Sequence, residues 1–124
     1  MQVSTKSQKP LQKRSQQSRL KILNAAEKLF AESGYRATKI SDIISASGCS
    51  AGSFYHQFKD KREVAEILYN RYIAFMEQTI DHLVEDIQED EDIRSMFTRV
   101  LNLALVALSS HVGARAAVVD LSHE

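Results

Sequence analysis

Helix-breaking residues are almost absent from this sequence: Pro10 is its single proline, and only four of its 124 residues are glycine. Proline removes a backbone donor and clashes with the preceding turn, and glycine destabilises a helix interior, so long stretches without either favour helices. No stretch shows the strict alternation of apolar and polar residues that is typical of a strand. The sequence therefore predicts an all-α fold.

The first amphipathic stretch predicts a helix from about Arg19 to Ser33. Its apolar residues recur at helical spacing, which places them on one face. Ser18 is suited to cap the start of this helix, and Gly34 is suited to stop it. The apolar residues of this face are Ile22, Leu23, Ala26, Leu29 and Phe30.

Two short helices follow. Three isoleucines at positions 40, 43 and 44 predict the first of them, and Gly48 ends it. Ser50 is suited to cap the next helix, on which Phe54 and Phe58 form an apolar pair four residues apart. Two short helices joined by a tight glycine-containing turn indicate a helix-turn-helix.

The second half of the chain predicts two longer helices. One begins after Asp60, a suitable N-cap, and continues for about seven turns to the acidic cluster at residues 85–92. The other runs from Ile93 to Leu108 and is apolar on most of its surface, so it is expected to pack on something. The apolar stretch at residues 100–119 is interrupted by polar residues, which favours a buried helix over a membrane span.

The chain is predicted to divide into three parts. Residues 1–17 are polar, basic and free of acidic side chains, which is typical of a disordered arm. Residues 18–62 form the helix-turn-helix unit, and residues 63–124 form a linking helix followed by a helical domain. One cysteine and no apolar leader segment predict a cytoplasmic location.

Charge divides the chain into two opposed halves. Residues 1–62 carry 12 lysines and arginines against 4 acidic residues, whereas residues 63–124 carry 4 against 12. The net charges are therefore +8 and −8, which average to zero over the whole chain. Such asymmetry favours contact between the first half and a polyanion, although a dipolar soluble protein with solvated charges is the simpler alternative.

Enzyme motifs are missing from the sequence. It has no P-loop and no dinucleotide fingerprint, and its GCSAG segment lacks the preceding strand that a nucleophile elbow needs. The four histidines have no carboxylate or cysteine partners at metal-ligand spacing. We expect no catalytic residues, no metal and no cofactor. Cys49 follows the turn glycine, where packing as a small hydrophobe is favoured over a redox role.

The segment GCSAGSFYHQF, residues 48–58, is best explained by contact with nucleic acid. A recognition helix presents its first turns to the major groove, and small residues at positions 50–53 allow close approach of the backbone. Tyr55 and His56 add longer hydrogen-bonding side chains on the face opposite Phe54 and Phe58. The alternative is that Tyr55 packs in the core and His56 is simply solvated.

One further pattern spans the first half of the chain. After the segment ILNAAEKLF, it consists of Gly34, Tyr35, Thr38, Ile40, Asp42, Ile43, Gly48, Ser50, Gly52, Phe54, Tyr55, Phe58 and Lys61. With these residues in this order and spacing, residues 19–68, about half of the chain, closely resemble the DNA-binding domain of the TetR family of transcriptional regulators. The resemblance implies a three-helix DNA-binding domain, a fourth helix that links it to an α-helical regulatory domain, and a homodimer on a palindromic operator. It also implies that ligand binding releases the DNA.

The resemblance also implies roles for single residues. Thr38 is expected to contact phosphate from the start of the second helix, and Lys61 is expected to contact the DNA backbone from the start of the fourth. Tyr55 and His56 resemble a pair that holds phosphate. Base choice is expected at variable positions. The expected groove-facing residues are Ser50, Ala51, Gly52 and Ser53, and the expected specificity positions are Lys39, Ala51 and Ser53.

The sequence departs from the family pattern at three points. Lys39 replaces a serine or threonine that commonly caps the second helix, so capping is expected to shift to Thr38. Ala51 replaces a longer side chain. The resemblance implies that family members continue beyond position 124, so the chain is expected to be a truncated or an unusually short regulator. The main hypothesis is a ligand-responsive, dimeric repressor of double-stranded operator DNA, with no membrane contact. The alternative is a helical interaction module that forms mixed dimers with a partner regulator without binding operator DNA.

Overall fold

The computed structural model describes residues 5–123, and within that range it contains helices and no strands. The predicted all-α fold with an N-terminal helix-turn-helix is confirmed. The six helices are α1 (Thr5–Ser33), α2 (Ile40–Ser47), α3 (Ala51–Gln57), α4 (Lys61–Glu85), α5 (Ile93–Ser109) and α6 (Val112–Ser122).

Helix α1 begins much earlier than the sequence predicted. Residues 5–17 were expected in a disordered arm, but they continue α1 without a break, and Ser18 lies inside the helix instead of capping it. Pro10 lies in the second turn, so it removes one hydrogen bond close to the free end of the helix. The glutamines, lysines and arginine that follow Pro10 are good helix formers. Residues 1–4 of the expected arm lie outside the described part.

The first three helices and the start of α4 share one apolar core. Its largest fully buried side chains come from all four of these helices, so none of the short helices is stable by itself without the others. Gly34 ends α1 with a positive φ of 84°, as the sequence predicted. The largest fully buried side chains are Ile22 and Phe30 of α1, Ile43 of α2, Phe54 of α3, Phe58 at its C-terminal end, and Val64 of α4.

Helix α4 is buried in the core near its start and exposed towards its C-terminal end. Asp60 caps its start by accepting a hydrogen bond from the N–H of Glu63 at 2.9 Å, and Val64, Ala65 and Leu68 are buried in the core. Its C-terminal half exposes Ile80 and Val84. The predicted domain boundary after residue 62 stays a prediction, because α4 begins at Lys61 and continues across that point.

The apolar stretch that was expected to form one buried helix is divided in two, and its α5 part is largely exposed. His111, with a left-handed φ of 54°, separates α5 from α6. Within α5 only Ala107 is buried, whereas Phe97, Leu101 and Leu105 are exposed. Periodicity indicated a helix correctly, but it does not say which element covers the apolar face.

Helix α6 packs closely against α1. Gly113 makes the approach possible, because a Cβ atom at that position would lie 1.9 Å from the carbonyl oxygen of Glu27. The Gly113 N–H donates to Glu27 Oε1 at 2.9 Å. At the other end of α6, the main-chain carbonyl of Asp120 accepts a hydrogen bond from the guanidinium of Arg36. The sequence did not predict this contact between distant segments.

No single helix within residues 5–123 is long and apolar enough to cross a membrane. Helices α5 and α6 together have the necessary length and composition, but they are bent by 68° at their junction.

Candidate nucleic-acid interface

The turn between α2 and α3 is fixed by two residues with separate roles. Gly48 adopts a left-handed φ of 68° and ends α2, a conformation that a residue with a side chain adopts only with strain. Ser50 then caps α3, because its hydroxyl accepts a hydrogen bond from the N–H of Ser53 at 3.1 Å. Both roles agree with the sequence prediction, and together they set the direction in which α3 leaves the turn.

Helix α3 is held by its two phenylalanines. Phe54 and Phe58 are buried, and their ring centroids lie 5.5 Å apart. The guanidinium of Arg19 lies 5.0 Å from the centroid of the Phe58 ring, which ties this end of α3 to α1. Because one side of a seven-residue helix is anchored so firmly, the opposite side presents its residues in a defined arrangement.

The exposed side of α3 carries four of the nine predicted DNA contacts. Ala51 and Tyr55 are one turn apart, and so are Gly52 and His56, so these four residues lie on neighbouring rows of the helix surface. All four are exposed, and Tyr55 is 58% exposed although its ring edge contacts Phe54. The alternative that Tyr55 packs in the core is therefore wrong. Ser50 is also exposed, whereas Ser53 is half-buried.

Lys39 lies at the start of α2 and is exposed. It occupies the N-cap position, and its N–H donates to the Asp42 carboxylate at 2.9 Å. Capping therefore does not shift to Thr38, because Lys39 itself is the N-cap. Its side chain accepts no hydrogen bond from the first turn, and only its own N–H is held by Asp42. The spacing of an acidic residue three positions after the N-cap is a capping-box pattern that could have revealed this role in the sequence.

Thr38 does not face the solvent as the resemblance implied. Its residue surface is only 2% exposed, and its hydroxyl donates to the main-chain carbonyl of Gly34 at 2.7 Å. The side chain thus closes the turn between α1 and α2. A hydroxyl turned inward and already paired is not placed to hold a DNA phosphate, so Thr38 has a structural role.

Lys61 also makes contacts within the protein. Its ammonium donates to the carbonyls of Tyr35 and Thr38, at 2.8 and 3.0 Å, and lies 4.2 Å from the centroid of the Tyr35 ring. These three contacts join the first turn of α4 to the turn before α2. The predicted contact with the DNA backbone stays a prediction. The internal contacts depend on residues 23 and 26 positions away and so have no local sequence pattern.

The other reactive residue types near the interface form no catalytic arrangement. Cys49 is half-buried against the core, and its sulfur lies 3.9 Å from the carbonyl oxygen of Ser18, which fits the packing role. Within residues 5–123, no three side chains of the metal-binding types come together.

The comparisons with known proteins concern mainly this first half. A model of the bacterial regulatory proteins of the TetR family matches residues 22–67. The HTH-type transcriptional regulator YxaF of Bacillus subtilis is 33% identical over 73 residues, which are 59% of this chain and 37% of YxaF. The HTH-type transcriptional repressor KstR2 of Rhodococcus jostii is 38% identical over 55 residues, which are 44% of this chain and 27% of KstR2. Residues 22–67 are thus similar to the TetR family.

Solved structures extend the likeness beyond the TetR-family segment. A probable transcriptional regulatory protein, RHA5900, superposes with a TM-score of 0.62 at 28% identity, over 79% of this chain and 50% of that one. A γ-butyrolactone receptor described as ArpA-like superposes with a TM-score of 0.65 at 23% identity, over 82% of this chain and 52% of that one, which shows the fold alone. The chain thus spans about half of these structures and less than half of YxaF and KstR2.

The segment matched by the TetR-family model contains all nine of the predicted contact residues, and α5 and α6 lie outside it. Eight of the nine keep at least part of their surface accessible for a partner, and of the nine only Thr38 is buried. Thr38 and Lys61 also stabilise the segment that presents the others.

Proposed function

We propose that the chain is a transcriptional regulator that binds operator DNA through α3. The observation that carries this proposal is the combination of a firmly anchored recognition helix and an exposed surface of small residues followed by Tyr55 and His56. This surface belongs to the half of the chain with a net charge of +8, which favours a polyanionic partner.

The residues of the interface have different roles in the proposal. Ser50, Ala51 and Gly52 allow the start of α3 to approach the base edges, because their side chains are small or missing. The space outside Gly52 is not filled by other protein atoms, since a Cβ atom there would meet nothing closer than 3.8 Å. Tyr55 and His56 donate hydrogen bonds to phosphate oxygens and so fix the register on the duplex. Base preference is left to Ala51, Ser53 and the long side chain of Lys39.

The proposal also covers the assembly of the protein and its regulation. KstR2 is a transcriptional repressor, which supports repression by this chain. Release by a small-molecule effector is what the family resemblance implies. A homodimer places two copies of α3 on half-sites one helical turn, or a multiple of it, apart, and therefore requires a palindromic operator. The protein acts on chromosomal DNA in the cytoplasm.

An anisotropy titration of the protein against DNA from upstream of its own gene, at several salt concentrations, tests the proposal. We expect specific binding. The logarithm of its association constant should fall linearly with the logarithm of salt concentration, because phosphate contacts release counterions. Sedimentation of the same sample gives the oligomeric state. Salt-independent binding, or a confirmed dimer that binds no such DNA, would refute the proposal, and a stable monomer without DNA binding would favour the mixed-dimer module.

Substitutions separate the two kinds of contact. Tyr55→Phe removes one hydroxyl and should weaken binding about fivefold on every sequence, as expected for the loss of one hydrogen bond of about 1 kcal/mol. Tyr69→Phe is the matched control, because Tyr69 is exposed on α4, outside the proposed interface. Ser53→Ala should instead change the preference among operator variants. If Ser53→Ala and Tyr55→Phe weaken all sequences equally, the assigned division of roles is wrong.

A further inference from the structure

The N-terminal part of α1 extends beyond the core. Every residue from Lys9 to Gln17 is exposed except Ser15, which is half-buried. The buried residues of α1 begin only at Ile22. At a rise of about 1.5 Å per residue, the 13 residues from position 5 to position 17 form a projection about 20 Å long. We call residues 5–17 the basic extension.

The basic extension leaves the core beside the recognition helix. The carbonyl oxygen of Ser18 lies 3.9 Å from the sulfur of Cys49, the residue directly before the N-cap of α3. The next residue, Arg19, lies over the ring of Phe58 at the other end of α3. Helix α1 therefore crosses α3 at residues 18 and 19, and everything before that crossing projects past the helix that faces DNA.

The charged side chains of the extension at residues 9–17 form no ion pair within the described part of the chain. Lys9, Lys13 and Arg14 are exposed, and α1 contains no acidic residue before Glu27. Lys9 and Lys13 are four residues apart, a spacing at which like charges on a helix repel each other and destabilise it. Bound phosphates relieve that repulsion.

We propose that the basic extension binds, as a helix, the DNA phosphates that flank the half-site read by α3, a conclusion that rests on the DNA binding proposed above. A projection of about 20 Å corresponds to roughly six base pairs at 3.4 Å each. Its contacts add affinity and lengthen the protected DNA without reading bases. A rigid helix holds its charges in place before binding, so less conformational entropy is lost than with a disordered arm.

Charge substitutions at two places on α1 test this proposal. The salt slope is the change in the logarithm of the DNA association constant with the logarithm of salt concentration. Lys13→Gln should lower its magnitude by about 0.9 per bound chain, and the triple substitution of Lys9, Lys13 and Arg14 by glutamine should lower it by about 2.7. Lys28→Gln is the matched control: it removes the same charge from an exposed position of the same helix, about 22 Å from Lys13, and should leave the slope unchanged. The ratio of operator to scrambled-DNA affinity should stay constant in all three.

A helix-breaking substitution tests the helical placement. Gln16→Pro keeps every charge, but it breaks α1 between the extension and the core at an exposed position. We expect an unchanged melting temperature, weaker DNA binding and a nuclease footprint shortened by up to about six base pairs on each flank.

The outcomes distinguish the extension from the recognition helix. If the wild type binds its operator but the triple variant keeps the same slope and footprint, the extension is not a DNA contact. If Gln16→Pro binds like the wild type, the charges act without a fixed helix and the proposal is wrong. If the triple variant changes the preference among operators, the extension reads bases instead of phosphates. Absence of any DNA binding by the wild type overturns both proposals.

Discussion

The two halves of the molecule use the same residue types with opposite results. In the first half, Phe30, Phe54 and Phe58 are at most 1% exposed, because the helices that carry them cover one another. In the second half, Phe97 is 66% exposed, and α5 turns several leucines and valines to the surface as well. Apolar periodicity therefore predicts that a helix forms, and only the packing of other elements decides whether its apolar face becomes a core.

Helix α6 belongs to the first half in space, although it lies at the other end of the chain. It packs on α1 through Gly113 and the buried alanines at positions 114 and 117. The tightly packed region thus consists of α1 from residue 18 onward, α2, α3, the start of α4 and α6. The loosely packed region consists of the C-terminal half of α4 and α5.

Paired phenylalanine substitutions give the largest expected contrast between the two regions. Phe54→Ala removes a fully buried ring from the core and should lower the free energy of unfolding by about 3–5 kcal/mol. Phe97→Ala removes the same atoms from α5 and should change the free energy by no more than about 0.5 kcal/mol. Chemical denaturation followed by circular dichroism measures both. Equal losses would show that α5 is packed as firmly as α3.

Short-range features of the fold were predictable from the sequence. The left-handed Gly48, the Ser50 cap of α3 and the Asp60 cap of α4 each depend on hydrogen bonds and backbone angles within three or four residues. The same locality made the exposed side of α3 predictable, because Phe54 and Phe58 fix which side is buried. Most of the candidate interface could be recognised for this reason.

Paired glycine substitutions test whether α6 is part of the tightly packed region. Gly113→Ala places a methyl group against the backbone of Glu27 and should cost about 3 kcal/mol, since neither helix can move away without losing its contacts. Gly52→Ala adds the same methyl group to α3, where the nearest atom is 3.8 Å away, and should be neutral or slightly stabilising. Thermal unfolding compares the two. A harmless Gly113→Ala would mean that α6 separates readily from α1.

The roles that the sequence did not reveal are those that depend on distant partners. Thr38 and Lys61 occupy positions at which family resemblance implied DNA contact, but both pair with main-chain carbonyls of the α1–α2 turn. The partners of Lys61 lie more than 20 residues away, so its direction is set by the folded arrangement of α1 and α4. The contact of Gly113 with Glu27 spans 86 residues and has no local pattern either.

Removing Lys61 tests the connection between α4 and the rest of the tightly packed region. Lys61→Ala breaks two hydrogen bonds from a charged donor and should lower the free energy of unfolding by about 2 kcal/mol. Lys59→Ala, two residues earlier and exposed, removes the same charge and should cost almost nothing. Urea denaturation gives the difference. A salt slope that falls with Lys61→Ala while stability is unchanged would favour the DNA contact implied by family resemblance.

The smallest contrast compares a cap with a helix interior, both inside the helix-turn-helix. Ser50→Ala removes the acceptor for the Ser53 N–H and should cost about 1 kcal/mol. Ser45→Ala, on the exposed side of α2, has no such bond to lose and should be neutral or slightly favourable, because alanine is the better helix former.

Ser50 also lies in the proposed interface, so its loss should weaken DNA binding through a frayed α3 start. Ser50→Asp, which restores a capping oxygen, should recover the stability but not the binding, because it adds negative charge facing the phosphates. If Ser50→Asp recovers both, the start of α3 does not approach DNA.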